Sequence, residues 1–103
     1  MINMNELENA REEINGIDRE MALLFERRMN AAAEIGKYKA ENALPVRNEK
    51  RERALGEKNL TYIKTDELKA FYTEFLKKVI DLSCEYQQSI IGKYLSEHGG
   101  ELK

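Results

Sequence analysis

Residues 7–38, LENAREEINGIDREMALLFERRMNAAAEIGKY, decide the fold. Apolar side chains return at Leu7, Ala10, Ile14, Ile17, Met21 and Leu24, and again at Ala31, Ile35 and Tyr38. Steps of three and four residues place them along one side of an α-helix, whereas a strand would need a period of two. No proline occurs between residues 5 and 42, and Gly16 and Gly36 weaken the helix locally without reversing its pattern. The helix is expected to stop before Pro45. At about 1.5 Å per residue it is roughly 55 Å long, against a radius of gyration of about 13 Å for a domain of this size. Such a helix protrudes, and its apolar seam needs a partner. The simplest is a second copy of the chain in a two-fold dimer; the alternative is a monomer whose helix breaks near Gly16 or Gly36.

Beyond this helix, residues 44–47 (Leu-Pro-Val-Arg) read as a linker, because proline disfavours helix at its own position and at the one before it. Asn48 has the chemistry of an N-cap, and Glu49 follows in the first turn, where the helix dipole favours an anion. A short second helix is expected to reach about Lys58. The pattern lapses into a turn over residues 59–64, and Thr65-Asp66-Glu67 marks another helix start. The third helix carries Leu68, Phe71, Tyr72, Phe75, Leu76, Val79, Ile80, Tyr86, Ile90, Ile91 and Tyr94 at spacings of three and four, ending near Gly99-Gly100. The fold class is therefore all-α, with one very long N-terminal helix, a short second and a long third. Residues 1–103 read as a single domain with its core over about 6–95 and a fraying tail over 97–103.

Composition agrees with that reading. Charged residues make up 35% of the chain and apolar ones 42%, with one proline and no tryptophan, which suits long solvent-facing helices rather than a thick sheet core. Seventeen basic and nineteen acidic residues alternate along the chain for a net charge of −2, with no basic block to attract nucleic acid. The single cysteine, Cys84, can form neither an internal disulfide nor a cysteine cluster for zinc, so a reducing compartment is expected. The first residues lack the basic and apolar regions of a signal peptide, and no run approaches the roughly 20 apolar residues of a membrane span. The expected location is cytoplasmic, without a membrane partner. The only histidine, His98, lies in the expected tail with no companion for metal binding or nucleophile activation, and no role falls to it.

Function is carried by polar residues standing where the pattern asks for apolar ones. Continuing the first series from Leu24 calls for an apolar residue at position 28, yet the chain has Arg28. A guanidinium buried on the seam must meet an anion, either a carboxylate of the protein or one of a ligand. Lys39 lies eleven residues on, within about 20° of Arg28 on the same face and roughly 16 Å along the axis, so the two side chains can reach toward a common point. Arg11 is roughly 25 Å from Arg28 and turned by about 100°, so it could join that site only from another chain. On the third helix, the inward stripe through Tyr72, Leu76, Val79 and Ile80 continues into Ser83 and Gln87, neighbours on one face. These need hydrogen-bond partners, from a polar network between helices or from a ligand. Arg51 and Glu52, beside Leu55 on the second helix, read by themselves as a solvated charge pair.

Taken in order, Arg11-Glu12-Glu13-Ile14, Ile17-Asp18, Glu26-Arg27-Arg28, Ile35-Gly36-Lys37-Tyr38-Lys39, Pro45-Val46-Arg47, Arg51-Glu52 and Ser83-Cys84-Glu85-Tyr86-Gln87 resemble the successive signatures of AroQ-class chorismate mutases, over residues 7–88. The resemblance implies three helices per chain in an intertwined homodimer with two equivalent sites, each completed by an arginine from the other chain, here Arg11. The implied reaction is the intramolecular Claisen rearrangement of chorismate to prephenate, on the way to phenylalanine and tyrosine, with no cofactor and no metal. By the same resemblance, Arg11 and Arg28 bind the substrate carboxylates with help from Ser83. Lys39 and Gln87 flank the ether oxygen, Glu52 accepts the ring hydroxyl's hydrogen bond, and Arg51 orders the site. Asn48 stands where many relatives have aspartate, a mild change if its backbone N–H makes the contact. Gln87 in place of the glutamate of some relatives implies activity that persists through neutral pH. Two other functions fit the pattern: an isochorismate-pyruvate lyase of the same fold, for which Glu52 is the weaker match, and a dimeric helical interaction module whose charges only solubilise it.

Overall fold

In the computed structural model, which describes residues 4–98, three helices and one short 3-10 turn account for the regular structure: α1 (Met4–Glu41), α2 (Glu49–Leu60), the turn Asp66–Leu68 and α3 (Lys69–His98). The chain is all-α. None of these helices is long and apolar enough to cross a membrane. The expected helix end at Gly99-Gly100 lies outside the described residues, as does the end of the expected tail. His98 itself belongs to the last turn of α3, where its ring stacks on Tyr94 with centroids 4.2 Å apart and its Nδ1 lies 3.0 Å from the Tyr94 carbonyl oxygen.

α1 runs without a break through Gly16 and Gly36, as an unbroken 3.6-residue pattern without proline requires. It ends at a tight reversal before the proline acts. Ala43 takes the left-handed conformation (φ 53°), the Leu44 N–H donates to the Lys39 carbonyl at 2.8 Å, and the Ala43 N–H donates to the Ala40 carbonyl at 3.4 Å. This pair of bonds satisfies carbonyls that the last helical turn leaves without partners, and glycine is the residue that usually permits it. Pro45 then follows where no helical N–H is needed.

α2 begins as expected at Asn48, whose extended backbone (φ −134°, ψ 92°) lets its side-chain oxygen accept from the Arg51 N–H at 3.0 Å. It runs one half-turn beyond Lys58 to Leu60, where Thr61 Oγ1 donates to the Lys58 carbonyl at 2.6 Å. Thr65 precedes a 3-10 turn rather than α3 directly, with the Leu68 N–H on the Thr65 carbonyl at 3.0 Å and Lys69 paired to Asp66 at 3.1 Å. Tightened entry turns of this kind are common at helix N-termini.

The described residues divide into two units, one ending at Ala31 and the other starting at Ala32. The first is helical, and Ile14, Ile17, Met21, Leu23, Leu24 and Phe25 are exposed on it. The second holds the end of α1 together with α2 and α3. Its buried side chains are few: Ala32 and Leu76 among the apolar residues, Ser83 and Gln87 among the polar ones. Leu55 of α2 is half-buried. On the α1 side Ala32 and Gly36, four apart, share one helix face. A Cβ on Gly36 would stand 3.1 Å from the Gln87 Cα, so glycine is what lets α1 approach the α3 backbone there.

Candidate active site

The second unit brings together residues that the sequence places 48 positions apart: the Lys39 ammonium donates to Gln87 Oε1 at 2.9 Å and also to the Val46 carbonyl oxygen. Lys39 is half-buried and Gln87 buried, and the two reach each other because Gly36, one turn before Lys39, is packed on Gln87. An ammonium can only donate, so this contact fixes the amide's orientation and presents Gln87 Nε2 as a donor. Both of these partners of Lys39 are neutral oxygens, which accept two of its three hydrogens without cancelling its charge. Ser83, also buried, stands one turn before Gln87 on α3.

A second cluster forms around the start of α2. The two oxygens of Glu52 are held separately: Oε1 receives Arg47 Nη2 at 2.7 Å, and Oε2 receives the Asn48 backbone N–H at 3.3 Å. Arg47 also donates from Nη1 to Asp81 Oδ1 on α3 at 3.1 Å. These two carboxylates push the Arg47 guanidinium further up from its already high value, with the hydrogen bond to Glu52 the larger influence and that to Asp81 the next. Arg51 is exposed, its backbone N–H used by the Asn48 cap. The expected solvated pair of Arg51 and Glu52 is thus replaced by Arg47 and Glu52.

Cys84 lies within electrostatic reach of both clusters. Burial pushes its thiol up; Arg47 and Lys39 pull it down, while Glu52 and Asp81 push it up. The thiol therefore senses the cation beside Gln87 and the carboxylate beside Asn48 together. Between α2 and α3 a groove of ≈ 330 Å³ opens alongside, with Arg47, Glu52, Asp81, Tyr72, Leu76 and Ile80 in its lining; neither Lys39 nor Gln87 lines it. Among the described residues no group of three or more histidines, cysteines or carboxylates is placed to hold a metal ion.

Of the expected site residues, Lys39, Asn48, Arg51, Glu52, Ser83 and Gln87 belong to the second unit, and Arg11 and Arg28 to the first, where Arg11 is exposed and Arg28 half-buried. Three contributors were given no role from the sequence: Arg47 and the Val46 carbonyl, which stood only within the Pro45-Val46-Arg47 signature, and Asp81. Arg47 read as linker because of Pro45, and its spacing of five residues from Glu52 is not one that a helix brings together. Gly36 carried a signal, as a poor helix former kept inside an otherwise strong helix.

The chain matches the family model described as chorismate mutase type II over residues 10–88. It is 34% identical over 98 residues to the bifunctional chorismate mutase/prephenate dehydratase of Escherichia coli (strain K12), which covers 94% of this chain and 25% of that protein. It is 29% identical over 103 residues to the protein of the same name from Buchnera aphidicola subsp. Schizaphis graminum (strain Sg), covering 99% of this chain and 27% of the relative. The chain thus spans about a quarter of the length of these curated relatives. No solved structure matches it at a comparable level of significance. With an all-helical architecture and a family match over most of its length, this chain belongs to the chorismate mutase type II family.

Proposed function

We propose that the chain is a chorismate mutase, rearranging chorismate to prephenate in a site shared between two copies of itself. In this Claisen rearrangement the ether C–O bond breaks as a C–C bond forms within the same molecule, and negative charge grows on the ether oxygen. The catalyst must hold a flexible dianion in a chair-like conformer and meet that charge with donors already in place. The observation that carries the reading is Lys39 on Gln87: a half-buried ammonium whose partners are neutral oxygens, beside an amide turned to donate. Such a pair favours an arriving negative charge most strongly in the transition state.

Glu52, with both oxygens already oriented by Arg47 and Asn48, accepts the hydrogen bond of the ring hydroxyl, and Arg51 helps order the site near it. Arg28 and Ser83 take one substrate carboxylate and Arg11 of the second copy the other, arginine being suited to a two-point grip. The dimer is supported by the exposed apolar series of α1 and by a single-chain core of few buried side chains, too little to stabilise a domain of this size alone.

The experiment is the loss of chorismate absorbance on adding purified protein, repeated with Arg28→Ala and Lys39→Ala. Turnover by the parent and loss of about a hundredfold or more in each variant is expected, as when a preorganised donor is removed. Parent protein that does not turn over chorismate would return the chain to a helical interaction module, and turnover undiminished by Lys39→Ala would contradict the role given to the Lys39–Gln87 pair. Salicylate and pyruvate formed from isochorismate would instead favour the lyase.

A further inference from the structure

We propose that Arg47 is a positioning residue for Glu52, acting as a brace that sets the carboxylate's direction and ties the start of α2 to α3. The inference rests on the reading of Glu52 as the acceptor of the substrate hydroxyl. Arg47 precedes the N-cap Asn48, so its backbone direction is set by the entry into α2, and its planar fork then splits between two elements. Nη2 takes Glu52 at 2.7 Å and Nη1 takes Asp81 at 3.1 Å. A guanidinium can serve two carboxylates at a fixed angle; an ammonium on a flexible stem cannot.

The side chains of Arg47, Glu52 and Asp81 are 48%, 23% and 41% exposed, so these pairs contribute little to folding. Their geometric consequence is larger. Glu52 Oε1 is held from the linker side and Oε2 by the Asn48 N–H at 3.3 Å, which leaves the carboxylate one orientation. Without Arg47 only the longer of the two bonds remains, and Glu52 is free to turn toward solvent. Asp81 holds the other end of the brace, because an arginine anchored only to Glu52 would move with it.

The test is a double-mutant cycle in kcat/KM on the full chain. Arg47→Ala is expected to lower kcat/KM about tenfold, and Arg47→Lys to recover only part of this. In a Glu52→Gln background the same Arg47→Ala change should cost less than about twofold, because its effect passes through Glu52. Asp81→Asn should lower activity about threefold in the parent and be nearly silent in the Glu52→Gln background, which keeps the cycle usable should Arg47→Ala fold poorly. Losses that simply multiply in the double variants would overturn the inference while leaving the functional reading intact. A parent protein without chorismate turnover would overturn that reading, and the inference with it.

Discussion

Replacing Gly36 with alanine adds one methyl group where α1 meets the α3 backbone. The new carbon would stand 3.1 Å from Gln87 Cα and 3.3 Å from its Cβ and carbonyl oxygen. Non-bonded carbons settle at about 3.5–4.0 Å, so the helices must part locally by roughly half an ångström, since backbone atoms cannot rotate aside. Overpacking of this kind costs about 1–3 kcal/mol, offset by roughly 1 kcal/mol that alanine gains over glycine inside a helix. The net loss of stability is modest. The effect on turnover is not, because the Lys39–Gln87 bond of 2.9 Å lies one turn away on the same two helices. A misplacement on the order of 1 Å can reduce catalysis about a hundredfold, so half of that predicts a loss in kcat of about tenfold. Chorismate turnover measured beside helical circular dichroism reads both quantities. Gly92→Ala is the control: a Cβ there meets open space, so it should stabilise by about 1 kcal/mol and leave turnover unchanged. If Gly36→Ala matched that control in both stability and kcat, the argument for a glycine-dependent approach at Gln87 would fail.

Ala43→Gly should raise stability by about 1 kcal/mol in thermal or urea unfolding, because alanine holds a left-handed φ of 53° that glycine adopts freely; an unchanged or lowered midpoint would contradict this. The Cys84 thiol, pushed up by burial, should be alkylated near pH 8 more slowly in the folded protein than in denaturant. Since the unfolded chain releases that proton at a lower pH than the folded one, the thiol's contribution to stability is fully present below the unfolded value and is lost as pH rises from there through the folded value. Equal alkylation rates in the two states would refute the burial argument. Gln87 donates through an amide that needs no proton, so turnover should stay level from about pH 5 to 8, whereas Gln87→Glu should lose activity as pH rises and its carboxyl gives up its donor. A parent profile that falls steeply across that range, with the protein still folded, would contradict the role given to Gln87.

The helices were legible because their signals are local and repeated. The heptad series of α1 and the cap at Asn48 both depend on neighbours within a turn or two, and the structure has α1 and α2 where those signals put them. What the pattern missed depends on backbone geometry that no residue type announced. Ala43 carries a reversal normally marked by glycine, and the 3-10 turn at Asp66–Leu68 offers the same polar start as an ordinary helix. In the site, Lys39 and Gln87 were visible as polar residues on apolar stripes, and the structure joins them. The role of Arg47 was hidden because its two partners, five and 34 residues away, meet it only once the linker has turned.

Subunit mixing tests the central claim most directly, because it asks at once for catalysis and for a site built from two chains. Arg11→Ala and Arg28→Ala proteins should each be nearly inactive toward chorismate. After exchange of subunits, half of the dimers are mixed, and one of their two sites then has Arg28 from one chain and Arg11 from the other. Turnover should recover to about a quarter of the parent's, as two-fold symmetry with random pairing requires. Mixed dimers demonstrated by subunit exchange but showing no recovery of turnover would contradict a site shared between chains.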